Sequence, residues 1–185
     1  MMTRREYTPT VVQRAFVKWV ADVHPTHALT IRQNFKIATD NFEQAEKTFL
    51  QYIKTFEKLL CGRRNWFRHP IKFRGCAEQG KTKIWHWHIC IKADSVSAKK
   101  LRDAANRVRE IYDLPKSTMY VKKLKAHKKR FFAYMAKELV MDEHGHFDSR
   151  RLVCSETLFK SSILLPNWLK KFIFWRHRLQ MPEKD

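Results

Sequence analysis

Two imidazoles at i and i+2 sit in the alternating run Ile84-Trp85-His86-Trp87-His88-Ile89-Cys90-Ile91. A strand turns successive side chains to opposite faces, so His86 and His88 project to one side, about 7 Å apart by the strand rise, and can converge on one cation. The Trp and Ile neighbours would hold the other side against a core. Further along, Tyr134-Met135-Ala136-Lys137 places a phenol and an ammonium at helical i, i+3 spacing on one face. A carboxylate would make the imidazole pair better suited to Mg²⁺ or Mn²⁺. Glu78 is the candidate, on a strand expected to pair with the His strand, where a one-residue slip would turn it away. The chemistry such a set could do is phosphodiester cleavage. A divalent ion neutralises phosphate charge, Tyr134 attacks, and Lys137 lowers that barrier or stabilises the phosphate.

These groups need elements to carry them. Residues 10–23 show apolar spacing of three and four and read as an amphipathic helix, ended at His24-Pro25. Residues 27–37 read as a first strand. Asp40-Asn41-Phe42-Glu43 looks like a capping box opening a helix to about Leu60, with Gly62 as its stop. Strands are expected at 71–78 and 84–92 around a turn near Gly80. Ser95 or Ser97 would cap a helix with Leu101, Val108 and Ile111 on its stripe. A fourth strand at 117–124, a basic helix at about 126–141, a short strand near 150–154 and an aromatic, basic helix at 166–179 complete the chain. The order strand, helix, hairpin, helix, strand, helix predicts an α+β sandwich, an antiparallel sheet with helices packed on it.

Composition narrows the partner. The 185 residues fit one domain, with 44% hydrophobic residues to build a core. Formal net charge is +20, from 38 Lys and Arg against 18 Asp and Glu, which implies a polyanion. The 13 Phe, 6 Trp and 5 Tyr favour nucleic acid over a membrane surface, because bases stack on aromatic rings. Charge alone would favour a plain RNA or ribosome binder. The four Cys (Cys61, Cys76, Cys90, Cys154) form no C-x-x-C, so reduced thiols in a cytoplasm are expected. No apolar leader or membrane-length segment is read in the sequence.

The residues resemble a known family. His86-Trp87-His88 matches the His-hydrophobic-His signature of HUH endonucleases, and Tyr134-Met135-Ala136-Lys137-Glu138 matches their Tyr-x-x-Lys motif. The resemblance covers roughly residues 27–141, with 10–23 and 166–179 as helical extensions of a single domain. It implies an about five-stranded antiparallel sheet with helices on its faces, a sandwich of the HUH or RRM type. It implies Tyr134 and Lys137 as catalytic groups, and His86, His88 and Glu78 as ligands of Mg²⁺ or Mn²⁺. It also implies a tyrosine linked to a 5′ phosphate with a free 3′ hydroxyl left behind. Leu29-Thr30-Ile31 is a loose counterpart of the family's first motif. One Tyr precedes Lys in this pattern, as in the single-tyrosine class, and no helicase segment follows within these residues. The expected role is nicking and joining of single-stranded DNA, or of a DNA hairpin at an origin. That would start rolling-circle replication of a plasmid, phage or other mobile element, in a DNA-associated cytoplasmic setting with host helicase and polymerase as further partners.

Rival assignments share some of these residues. Gly75-Cys76-Ala77-Glu78-Gln79-Gly80-Lys81-Thr82 satisfies the P-loop pattern G-x-x-x-x-G-K-[ST]. A P-loop needs a helix to start at Lys81, whereas the residues that follow read as strand. His86 and His88 could simply be the polar face of a half-buried strand, and Tyr134 a core aromatic beside Phe131 and Phe132. A helix that buries Phe131, Met135 and Leu139 would instead leave Tyr134 and Lys137 off the buried stripe together. His144-Gly145-His146 reads as a loop. The run Lys122, Lys123, Lys125, Lys128, Lys129 and Arg130 is a solvated basic face that could also track a DNA backbone. Trp66, Trp85 and Trp87 are candidates for base stacking, with core packing the competing role. A non-catalytic nucleic-acid binder and a P-loop nucleotide hydrolase are therefore the alternatives to the nuclease.

Overall fold

Thr10 starts the first helix, α1 (Val11–Ala21), with a closed capping box: its hydroxyl accepts from Gln13 N, and its own N–H donates to Gln13 Oε1. The computed structural model describes residues 10–34, 38–62, 71–80, 82–93, 96–125, 128–137, 139, 148 and 151–155. Along these follow β1 (His27–Arg32), α2 (Phe42–Cys61), β2 (Lys72–Gln79), β3 (Trp85–Lys92), α3 (Ala98–Ile111), β4 (Met119–Lys123), α4 (Lys128–Ala136) and β5 (Leu152–Cys154). The expected α+β class is the observed one. Five strands form a single antiparallel sheet in the order β4-β1-β3-β2-β5, with helices on both faces.

Strand alternation sorts the core into two layers. Odd residues of the central strands, including Leu29, Ile31, Trp87, Ile89 and Ile91, pack with Phe49, Ile53 and Phe56 of α2 and with Leu101 and Val108 of α3. Even residues face the other way: Cys76 and Cys90 meet Val12, Phe16 and Trp19 of α1 and Phe132 and Met135 of α4. Each large side chain so buried contributes about 1.5–3 kcal/mol. The N-terminal helix is thus part of the core, and β5 carries the sheet past the 27–141 span expected for it.

Several boundaries differ from the sequence expectation. Asn41, not Asp40, caps α2, accepting from Gln44 N through its side chain. Ser97 caps α3. Strand β1 ends at Arg32, where Gln33 leaves the ladder but clasps Trp85 through its backbone N–H and its side-chain oxygen. Helix α4 ends at Ala136, and Phe132 rather than Phe131 fills its buried stripe with Met135 and Ala136. The helix at 166–179, Trp66, Lys81, Glu138 and the 144–146 His pair lie outside the described residues. No helix among the described residues is long and apolar enough to cross a membrane.

The β2–β3 hairpin sets the register at the site. Gln79 pairs with Trp85, Glu78 with His86, and Cys76 with His88. Gly80 N donates to Ile84 O, Lys83 N donates back to Gly80 O, and Lys83 takes the left-handed conformation that reverses the chain. Gly75 and Glu78 are therefore strand residues. The described residues after Gly80 form a turn and β3, so no helix begins where a P-loop requires one. Gly75 has its own physical reason: a Cβ there would lie 2.1 Å from the His88 carbonyl oxygen. Only glycine lets β2 approach β3 this closely. Gly75→Ala is expected to lose about 1–3 kcal/mol, the range for overpacking, read as a lower urea midpoint, and to weaken cation binding at Glu78 and His86 by shifting their register.

Candidate metal centre and tyrosine site

Glu78 comes from β2, and His86 and His88 from β3, all on the even face of the sheet. Glu78 Oε2 lies 3.5 Å from His86 Nε2 and 3.3 Å from His88 Nε2. The two rings meet edge to face with centroids 5.1 Å apart, closer than the strand rise alone suggests. One potential ligand atom from each residue falls within 4.8 Å of the others. Ligands about 2.1 Å from one cation would stand about 3.0–3.4 Å apart in octahedral or tetrahedral geometry. The carboxylate-to-imidazole spacings are of that size.

The far side of each imidazole is engaged as a metal ligand's should be. The Ile84 carbonyl stands 3.4 Å from His86 Nδ1 and can only accept, so this contact suits the tautomer that offers Nε2 as the ligand atom. Thr30 Oγ1 lies 3.3 Å from His88 Nδ1, across the β1–β3 ladder where Thr30 and His88 are paired. His88 Nε2 and Glu78 Oε2 are buried and make no hydrogen bond. They face each other at 3.3 Å without making that bond, which is costly for buried polar atoms, and a cation bound between them would satisfy both. Two imidazoles and one carboxylate suit Mn²⁺, Zn²⁺ or Fe²⁺ better than an all-oxygen cation such as Mg²⁺. Cys76, directly across from His88, stands apart from this donor set: its thiol donates to the Met135 carbonyl.

Lys137 ties the cluster to the phenol. Its Nζ sits 2.7 Å from Glu78 Oε1, the oxygen facing away from the imidazoles, and 4.4 Å from the centre of the Tyr134 ring. Burial alone would push the Glu78 carboxyl up, but contacts with His86, His88 and Lys137 outweigh it and hold it well below the usual carboxylate range. Contact with Glu78 holds the Lys137 ammonium above its ordinary value against partial burial, and Tyr134 adds to this. Lys137 is therefore a standing cation, suited to steadying negative charge and not to taking a proton.

Neither a protein-family model nor a curated protein matches this chain.

Tyr134 is 47% exposed and its ring centre lies 5.7 Å from that of His88, so the phenol is neither entombed nor remote. Phe131 stacks beside it with centroids 6.5 Å apart. The turn carrying Lys137 is closed by i→i+3 bonds, Lys137 N to Tyr134 O and Leu139 N to Ala136 O. Buried Gln13 of α1 donates from Nε2 to the Lys137 carbonyl, so the helix bearing the phenol is fastened at its end by α1. Gln13, Gln33 and Thr30 support the site but carry no motif of their own. Only Thr30 had a signal in the sequence, as the middle of Leu29-Thr30-Ile31.

The expected nucleic-acid residues divide. Trp85 and Trp87 are core residues, so the stacking role expected of them is withdrawn. Trp87 is 1% exposed and stacks on Phe49, while Trp85 packs edge-on against Phe42 and donates from Nε1 to Asp40 O. Lys122, Lys123, Lys125, Lys129 and Arg130 are exposed, but alternation puts Lys122 on the site face and Lys123 on the opposite one. Arg130, Tyr134 and Lys137 share a stripe at i, i+4 and i+7. Lys128 donates to the Pro25 carbonyl, and Lys129 lines a cavity of about 630 Å³ between α1 and α4.

Titration calorimetry with Mn²⁺ is expected to give one site per chain, lost in His86→Ala and His88→Ala. Thr30→Val, which removes the group bonded to His88, is expected to weaken affinity roughly 10- to 100-fold. At an Mn²⁺ concentration about 100 times its dissociation constant the fold should gain about 2.7 kcal/mol. Differential scanning calorimetry would show this as a rise of several degrees in Tm, absent in both His variants.

Proposed function

We propose that this protein is a metal-dependent, single-tyrosine endonuclease of the HUH type that nicks and rejoins single-stranded DNA. The observation that carries the proposal is the meeting of two distant segments: Tyr134 beside His88, with Lys137 bridging the phenol to Glu78. The Tyr-x-x-Lys and His-hydrophobic-His signatures support it together with this geometry. A polar strand face would account for two histidines. It does not account for convergent ring nitrogens whose far sides are bonded to the protein, beside an accessible phenol.

A divalent cation at Glu78, His86 and His88 would neutralise charge on the scissile phosphate and polarise its P–O bonds. Mn²⁺ fits the two imidazoles better than Mg²⁺. Tyr134 Oη attacks phosphorus, the tyrosyl O–P bond forms, and the bond to the departing 3′ oxygen breaks. The phenolic proton is balanced by the proton that the released 3′ hydroxyl gains. Lys137 steadies the phenolate and the phosphoryl charge as they develop. The product is a 5′-phosphotyrosine, and a 3′ hydroxyl attacking it reverses the step and rejoins a strand without an external energy source. That economy suits initiation of rolling-circle replication, or transfer, of a plasmid, phage or other mobile element. DNA association in a cytoplasm with host helicase and polymerase belongs to the same proposal.

Incubation with labelled single-stranded oligonucleotides and Mn²⁺ is expected to give a conjugate that survives denaturing electrophoresis. Tyr134→Phe should abolish the conjugate while retaining DNA binding. Lys137→Met should slow its formation by roughly 10²-fold or more, as loss of a charge-stabilising donor does. Tight binding without a conjugate on any tested origin-like or hairpin sequence would establish the non-catalytic binder in its place.

A further inference from the structure

On the face of the sheet that carries the cation cluster, β1 buries Ala28 and Thr30, and exposure resumes at Arg32 and along β4. Helices α1 and α4 bury Cys76 and Cys90 there, while β1 and β4 continue the same face outward. The register defines what that outer half displays. Thr30 pairs with His88 on one side and with Tyr120 on the other, so Tyr120, Thr30, His88 and Cys76 form one row across four strands. Directly paired side chains point to the same face. Tyr120 is therefore on the site side, with its Cα about 10 Å from that of His88 at two strand spacings. In the neighbouring rows Arg32 pairs with His86, and Lys122 pairs with Ala28.

All three of these side chains are exposed. Tyr120 is 42% exposed, Arg32 and Lys122 lie open, and none makes a side-chain hydrogen bond or ion pair among the described residues. Lysine on an edge strand is a common guard against sheet-to-sheet pairing, which accounts for Lys122. It does not account for an aromatic ring left open on the same edge, or for Arg32 one strand further in. The stacked pair Phe131 and Tyr134 stands beside His88, on the helix that borders this face. An aromatic ring flanked by two cations, two strands from the proposed phosphate-cleaving centre, has the chemistry that holds an unpaired nucleobase and its flanking phosphates.

We propose that the β1–β4 part of this face is the seat of the single-stranded DNA, with Tyr120 stacking on a base near the scissile phosphate and Arg32 and Lys122 holding the phosphates on either side. The proposal rests on the nicking assignment for its choice of DNA and adds the path of the strand. Stacking makes the site selective for unpaired over paired DNA, because a duplex offers no free base face here. The sequence tolerance of stacking leaves base identity to be read elsewhere.

The test is made in the Tyr134→Phe background, where binding is read without turnover. Anisotropy of a fluorescein-labelled, mixed-sequence single-stranded oligonucleotide is expected to show roughly 5- to 100-fold weaker binding for Tyr120→Ala, the usual worth of one stacked base. Tyr120→Phe should bind within about twofold of its parent. Arg32→Ala should lower the slope of log affinity against log salt by about 0.7, one single-strand phosphate contact. An oligonucleotide bearing 5-iodouracil should photocrosslink to the peptide containing Tyr120. Tyr120→Ala binding as tightly as its parent, or losing as much affinity for a duplex as for a single strand, overturns the proposal. The two assignments fail separately. A phosphotyrosine conjugate that forms in Tyr120→Ala with Tyr134 intact, together with unchanged affinity in the Tyr134→Phe background, sinks the strand path and leaves the nuclease. Tyr120-dependent binding without a conjugate under any condition sinks the nuclease and leaves the strand path.

Discussion

Every distance at the site descends from one ladder position, Glu78 opposite His86 across the β2–β3 hairpin. Side-chain direction in a strand repeats every two residues, so a slip of one would send Glu78 into the apolar layer with Phe49 and Trp87. Three features oppose that slip. The turn at Gly80 and Lys83 fixes the closing pair, Gly75 permits a backbone approach closed to other residues, and Gln33 holds the start of β3 through both strands of polar contact at Trp85. Trp85 and Trp87 then anchor the opposite face. Apolar packing on one side of β3 thus holds the imidazoles on the other.

A second constraint is charge. Glu78 is a buried carboxylate that spends one oxygen on Lys137 and aims the other at two imidazole nitrogens. A carboxylate in that position costs several kcal/mol unless compensated. Lys137 supplies one compensating charge and a bound cation would supply the rest. The same ammonium leans over the Tyr134 ring, so the group that steadies the ligand also stands where phenolate charge would develop. The carboxylate and the phenol ring are coupled through one side chain.

How much of this the sequence disclosed depends on the kind of interaction. Alternation around His86 and His88 exposed the strand and its two faces, because a period of two is a direct readout of backbone geometry, while the register that brings Glu78 opposite His86 is set by the turn at Gly80 and Lys83 and was open in the sequence. Helical spacing likewise placed Tyr134 and Lys137 together. What stayed hidden depends on contacts between distant segments. Phe132 and not Phe131 faces inward because α4 packs against α1 as well as the sheet. Gln13 reaches the Lys137 carbonyl over a separation that no local pattern records. Trp85 and Trp87 looked available to bases because an aromatic residue reads alike in a core and on a binding face. Only the neighbours Phe42 and Phe49 settle that difference. Tyr120 carries no signal in the sequence for the converse reason: alternation in a short edge strand says which residues share a side, not which side remains open.

The bond between Gln13 and the carbonyl of Lys137 joins the earliest described helix to the turn behind Tyr134. A ribosome would release α1 long before α4 exists, and α1 would have no docking partner at that stage. Long-range contacts of this kind form late, because closing the intervening loop is entropically costly. Helix α4 therefore gains its brace only once nearly the whole sheet has been synthesised and assembled. A nascent fragment would already carry much of the chain's positive charge while still lacking the braced turn that holds Tyr134 and Lys137 together.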